Sequence, residues 1–139
     1  MKSYLHICSL NCQGLRIKEK RLRLKTWIIN QKCDILFIQE SHFIESDQEN
    51  LRCEINGKFF HSFGSTQSKG VSIWIRKDLE YKVINSLSDK DGRIIMINIE
   101  IEDKIYTLVN IYAPNSPKAR NSFFKNTKKN LLKTIPLAF

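Results

Sequence analysis

The segment Asp34-Ile35-Leu36-Phe37-Ile38-Gln39 carries the decision about fold class. It is short, apolar without a break and rich in β-branched and aromatic side chains, which is the pattern of a strand buried on both faces. Upstream, residues 4–11 (Tyr-Leu-His-Ile-Cys-Ser-Leu-Asn) read as another strand. Residues 18–31 read as a helix with Leu24, Trp27, Ile28 and Gln31 at positions i, i+3, i+4 and i+7. Strand, helix, buried strand is the pattern of a parallel crossover, so the chain is predicted to open as β-α-β within an α/β (α+β) fold.

Beyond Gln39 the period changes. Ser46 with Glu49 three residues on predicts a capping box for a short helix reaching Cys53, and Asn56-Gly57 predicts a turn. Residues 58–63, 70–76 and 80–85 read as short strands, the second with Ile73 and Ile75 on one face and Ser72, Trp74 and Arg76 on the other. Ile95, Ile97, Ile99 and Ile101 alternate with Met96, Asn98 and Glu100, and Glu102-Asp103-Lys104 leads into 105–112, which predicts a hairpin. Ser116-Pro117 offers a cap and a first-turn proline to a last helix striped by Phe123, Phe124, Thr127 and Leu131 and ended by Pro136. No internal repeat or linker divides the chain.

With 139 residues, 42% hydrophobic and 27% charged, the chain has room for one packed domain and lies outside the disordered and low-complexity classes. Its 23 Lys+Arg against 14 Asp+Glu give +9, which suits a polyanion, nucleic acid ahead of an anionic membrane surface. The charge is uneven. Residues 1–33 carry 8 basic and 1 acidic side chains, and 105–139 carry 6 and none, while 34–60 carry 2 and 6. That polarity suits a cation site beside a polyanion track; for Lys18, Lys20, Arg21, Arg23 and Lys25 the plainer reading is a solvated helix face. Cys8, Cys12, Cys33 and Cys53 form no CxxC pair and no zinc spacing with His6, His42 and His61. They read as reduced, mostly buried thiols, with Cys8 and Cys12 on the inner face of the first strand. The N-terminal stretch is too short and too polar for a signal core or a membrane span, so an intracellular, reducing compartment is expected.

Three polar residues end three apolar strands: Asn11, Glu40 and Tyr112. In open α/β sheets ligands bind outside the carboxyl ends of strands, so these three can line one site. A carboxylate beside Phe37 and Ile38 must reach water or a partner, and a hard cation such as Mg²⁺ is a natural one. Pattern alone also admits an exposed strand-end glutamate, a turn asparagine ahead of Gly14 and a half-buried tyrosine.

The segments Ser9-Leu10-Asn11-Cys12-Gln13-Gly14-Leu15, Asp34 through Gln39-Glu40-Ser41-His42, Gly70-Val71-Ser72-Ile73, Gly92-Arg93 and Asn110-Ile111-Tyr112-Ala113-Pro114-Asn115 occur here in order. Their order and spacing resemble the endonuclease/exonuclease/phosphatase superfamily, and most of all the apurinic/apyrimidinic-type endonuclease domain of LINE-type, non-LTR retrotransposon proteins. The likeness spans about residues 4–133. It implies a DNase-I-like, four-layer α/β sandwich, of which this chain resembles the N-terminal half as a mixed sheet flanked by two helices. It also implies Mg²⁺ (or Mn²⁺)-dependent phosphodiester hydrolysis, with DNA as the partner to be nicked and a nuclear location. By the same resemblance Glu40 is the metal-binding glutamate, Asn11 orients the metal site and the phosphate, and Tyr112 and Asn115 hydrogen-bond the phosphate. Arg93, Lys69 and Asn115 fall to nucleic-acid contact. Neither a membrane nor an organic cofactor is implied.

Two departures stand out. Gln13 occupies a metal-side position where the family has Asn or Asp, which keeps the acceptor but lengthens the side chain. Nothing in residues 1–139 resembles the family's Gly-Asp-Phe-Asn and Ser-Asp-His segments, which supply its catalytic Asp and His, and residues 134–139 do not resemble the family's continuation. The whole chain, 1–139, is therefore expected to be a partial domain, weak or inactive alone because general-base catalysis typically contributes about 10²–10⁴-fold. A second sheet outside this chain is expected to cover the hairpin and first sheet, leaving apolar surface open to a missing half or to self-association. The alternatives are a noncatalytic basic nucleic-acid-binding fragment and the product of a decayed element.

Overall fold

A computed structural model describes residues 4–134. The elements run β1 (Ile7–Asn11), α1 (Lys18–Asn30), β2 (Ile35–Gln39), a single 3₁₀ turn (Glu45–Asp47), α2 (Gln48–Glu54), β3 (Lys58–Ser62), β4 (Val71–Ile75), β5 (Lys82–Ser88), β6 (Ile94–Ile101), β7 (Lys104–Ile111) and α3 (Pro117–Thr134). The first sheet has the order β1-β2-β4-β3. β1 and β2 are parallel, with Ile7 opposite Ile35 and Asn11 opposite Gln39, so the chain does open as a β-α-β crossover. β4 runs antiparallel to both β2 and β3.

Alternation along the strands sends their side chains into two cores. Leu36, Ile38 and Trp74 join Leu24 and Ile28 of α1 and Leu51 of α2. Ile35, Val71, Ile73 and Ile75 join Ile95, Ile97, Ile99 and Leu108. β2 and β4 are thus covered on both sides, which is why their sequence is apolar without alternation.

The covering layer corrects one expectation. β5, β6 and β7 form a three-stranded antiparallel sheet, so the partner of the first sheet lies within this chain. Residues 82–88 supply the added strand, downstream of the expected 80–85, with a register irregularity between Val83 and Asn85. β5 is largely exposed, so its sequence carries little apolar signal, and its ladder with β6 holds it in place. Among the described residues β1 and β3 are the edge strands of one sheet and β5 and β7 those of the other, and at β1 and β7 Tyr4, Ile7, Ile105 and Tyr106 remain exposed.

Other local expectations shift. The box at Ser46 and Glu49 does not form; the Asp47 carboxylate accepts the Ile44 N–H at 2.8 Å, and Glu49 pairs with Arg52. Arg21 is buried, not solvated: it forks onto Glu54 and donates to the carbonyls of Leu15 and Arg16. Cys8 and Cys12 do share the face turned to the helices, but Cys53 is exposed. In α3, Thr127 is buried and Phe124 is exposed, while Pro136 lies outside the described residues. Among the described residues no helix is long and apolar enough to cross a membrane.

His61 in β3 yields a test of this packing. Its ring stacks with Phe59 and Phe63, meets Phe43 edge-on, and its Nδ1 lies 2.7 Å from Ser72 Oγ. Burial pushes its pKa down from 6.5 to about 4. The unfolded chain binds the proton first, so stability is full above pH 6.5 and falls as pH drops toward 4, by on the order of 3 kcal/mol. Urea unfolding at pH 7, 5.5 and 4 should show that fall, and His61→Phe should flatten it.

Candidate active site

Three chain ends meet at one edge of the sandwich. Asn11 closes β1, Glu40 follows β2 and Tyr112 follows β7. Tyr112 Oη donates to Glu40 Oε1 at 2.7 Å, and Asn11 Nδ2 donates to the same oxygen at 3.3 Å. The Tyr112 bond, then the Asn11 bond, hold the Glu40 carboxyl below its ordinary pKa, because both donors favour the ionised form. The same bond raises the Tyr112 phenol above its ordinary value. The carboxylate thus stands ionised at neutral pH, with Oε1 doubly engaged.

The backbone around it is strained. Gln13 (φ 48°), Glu40 (φ 53°), His42 (φ 58°) and Lys69 (φ 62°) are all left-handed residues other than glycine. Each such residue typically costs about 1 kcal/mol or more and persists where surrounding bonds impose it. Those bonds are present. Gly14 N–H donates to Glu40 O, Cys12 N–H to Gln39 O, Ser41 N–H to Gly70 O and His42 N–H to Lys69 O. Gly14 is left-handed too (φ 90°), which favours glycine, and a Cβ there would also lie 2.7 Å from His42 Nδ1.

Gln13 sits in this loop, its N–H bonded to Asn11 Oδ1 at 3.1 Å and its carbonyl to Lys20 Nζ at 3.0 Å. Lys20 also reaches Cys12 O at 3.0 Å, so a lysine of α1 pins the loop that carries Asn11 and Gln13. Arg93 lies against Tyr112, its guanidinium 5.4 Å from the ring centre and its Nη1 donating to Tyr112 O at 2.9 Å. Lys69 adjoins the site through its backbone. Asn115 is exposed, and its carbonyl accepts from Arg120 at 3.2 Å.

Beneath the three ends lies a polar tie between the sheets that sequence reading passes over. Asn110 is buried in β7, donating to Ile38 O and Ser72 O at 2.8 Å each and accepting from Gln39 Nε2 at 2.8 Å. Gln39 Nε2 also donates to Ser9 Oγ at 3.1 Å. The signal available in the sequence is parity: Asn110 is the polar residue between Leu108 and Tyr112 on the inward face of β7.

Residues 8–134 match the family described as Endonuclease/Exonuclease/phosphatase. The chain is similar, at 24% identity over 122 residues, to a transposon TX1 uncharacterized 149 kDa protein of Xenopus laevis, covering 88% of this chain and 9% of that protein. Among solved structures it resembles the AP endonuclease LMAP from Leishmania major, with TM-score 0.72 and 18% identity, covering 91% of this chain and 47% of that one. It also resembles the endonuclease domain of TRAS1, a telomere-specific non-LTR retrotransposon, with TM-score 0.64 and 18% identity, covering 94% and 55%. The chain therefore has this DNase-I-like fold and spans about half the length of the structures it matches.

Proposed function

Because the chain belongs to the endonuclease/exonuclease/phosphatase family, we propose that it carries the metal- and phosphate-binding part of a divalent-metal-dependent phosphodiesterase acting on DNA. The observation that supports this most is the ionised Glu40 carboxylate, held at Oε1 by Tyr112 and Asn11 where three strands end.

The donor set suits a hard cation. Among the described residues no cluster of three or more acidic, histidine or cysteine side chains is present, which disfavours a cage built from protein alone. Mg²⁺ is commonly bound by one or two carboxylates and completed by water and phosphate oxygens, and one anchored glutamate meets that need. Glu40 would hold the ion, with Gln13 beside it. A divalent cation such as Mg²⁺ or Mn²⁺ held there would supply Lewis-acid polarisation of the phosphate and charge stabilisation for the leaving group. Asn11 and the Tyr112 hydroxyl orient Glu40, and the second N–H of Asn11 Nδ2 offers a neutral donor to a phosphate, where charge develops. Asn115, Arg93 and Lys69 border this edge and serve as contacts along the nucleic-acid backbone.

DNA as the polymer is supported by the net charge of +9 and by the similarity to an AP endonuclease and a retrotransposon endonuclease domain. The water-activating base falls outside this set of residues, so the chain by itself is expected to bind without appreciable turnover. The second reading, a basic binding module indifferent to metal, is separated by one experiment. Binding to duplex DNA is measured over a salt series, with and without Mg²⁺, for wild type and Glu40→Gln. Under the proposal Mg²⁺ strengthens wild-type binding and does nothing for Glu40→Gln, while both weaken steeply with salt. Identical Mg²⁺ responses sink the proposal and leave the binding module. Supercoiled plasmid should stay intact; nicking lost in Glu40→Ala would show that the chain needs no further part.

A further inference from the structure

We propose that Asn110 is the positioning residue of this site, setting where the Tyr112 hydroxyl meets the Glu40 carboxylate by clamping the second sheet onto the first. The consequence for metal binding rests on the proposed function; the geometry does not.

Away from Asn110 and the Ser62–Asp89 bond, the described surface between the sheets is built mainly from apolar residues such as Ile35, Ile73, Ile97 and Ile99. Aliphatic packing is non-directional and admits small sliding of one layer over the other, whereas hydrogen bonds hold distance and angle closely. Burying an amide there carries a desolvation cost that a leucine would not, and it is offset only when each polar atom is bonded. Asn110 meets that condition. Its two donor bonds go to Ile38 O and Ser72 O, residues that face each other across the β2 and β4 ladder. Its acceptor takes Gln39, which lies between Ile38 and Glu40 in the chain. Asn110 therefore reads the register of the first sheet immediately below Glu40. Tyr112 stands two residues further along the same face of β7, so the hydroxyl of Tyr112 inherits that register. The bond from Tyr112 to Glu40 spans the same two sheets as the clamp.

Asn98 supplies the control. It is equally buried, in the same sheet, and hydrogen-bonded to Asn85 and Thr107. The Tyr112–Glu40 bond is read from the ¹³Cζ resonance of tyrosine-labelled protein at neutral pH, assigned with Tyr112→Phe. Glu40→Ala, which has no acceptor, defines the position of the broken bond. In Asn110→Leu the resonance should move to that position, in Gln39→Ala part of the way, and in Asn98→Leu not at all, although Asn98→Leu and Asn110→Leu lose comparable stability. Gln39→Ala carries the test if Asn110→Leu does not fold. A resonance unmoved in Asn110→Leu and Gln39→Ala, one moved equally by Asn98→Leu, or one that Glu40→Ala leaves in place overturns the proposal. Mn²⁺ titration of the same proteins separates the two claims. Where wild type binds Mn²⁺, Asn110→Leu should weaken it by about tenfold, the usual effect of removing a group that orients a ligand. If wild type binds none while the tyrosine pattern holds, the metal reading fails and the clamp stands.

Discussion

Arg21→Met is expected to lower stability by about 3 kcal/mol or more at neutral pH, because it strands a partly buried carboxylate. Arg21 joins three parts of the chain: α1, which it belongs to; Glu54 at the end of α2, which takes both Nε and Nη2; and the carbonyls of Leu15 and Arg16. The side chains are 9% and 16% exposed, so solvent does little to replace the lost bonds. The melting temperature should fall by roughly 10 °C. The sign with pH follows from the pair. Arg21 holds the Glu54 carboxyl below its ordinary pKa, so this contribution is present above the unfolded value and lost as pH falls through the lowered folded one. The gap between wild type and variant should therefore narrow in acid. Replacing both partners, Arg21→Met with Glu54→Leu, should recover much of the loss, since the cost lies in the unpaired charge. A thermal unfolding series on wild type, Arg21→Met, Glu54→Leu and the double variant checks all of this.

Asp34→Ala is the second large effect, again about 3 kcal/mol. Asp34 is fully buried at the point where β2 begins. Its Oδ2 accepts the His6 N–H at 2.9 Å and its Oδ1 accepts Arg76 Nε at 2.8 Å. Its backbone is also engaged, with Asp34 N–H donating to His6 O and Arg76 N–H to Asp34 O. The one carboxylate thus fastens the chain entering β1, the start of β2 and the end of β4. Removing it leaves a guanidinium and an N–H to find water at the sheet's base. Asp34→Asn keeps the shape and one acceptor, and should cost less than half as much. Urea unfolding at pH 7 measures both, and equal stability of Asp34→Ala and wild type would refute the fastening role.

What could be read beforehand was what repeats. The alternating isoleucines of β6 and the unbroken run of β2 each carry a period, and both elements lie where that period puts them. β5 carries only a weak one, because its side chains are largely exposed, and it was read over 80–85 in place of Lys82–Ser88; the second sheet was expected outside this chain because residues 1–139 resemble only the first half of the family fold. Arg21 sits among Lys18, Lys20, Arg23 and Lys25, where pattern has no means of telling a buried guanidinium from a solvated one. Only the arrival of Glu54 from α2 distinguishes it.

The site divides the same way. Asn11, Glu40 and Tyr112 were legible because each is polar at the end of an apolar strand, and the fold joins the three by two hydrogen bonds. Lys20 and Asn110 were not, since their partners are backbone carbonyls that sequence does not display. Asn115 and Arg93 flank the site, Arg93 against the ring of Tyr112 and Asn115 in the exposed turn before α3.

The role proposed for Glu40, positioned by Tyr112 and Asn11, is to hold a divalent cation. Mn²⁺ titration followed by electron paramagnetic resonance, on wild type and Glu40→Gln with matched circular dichroism, tests it most directly. One saturable site is expected in wild type, with binding weaker by about tenfold or more in Glu40→Gln. Equal binding by the two proteins, or none by wild type, would contradict it.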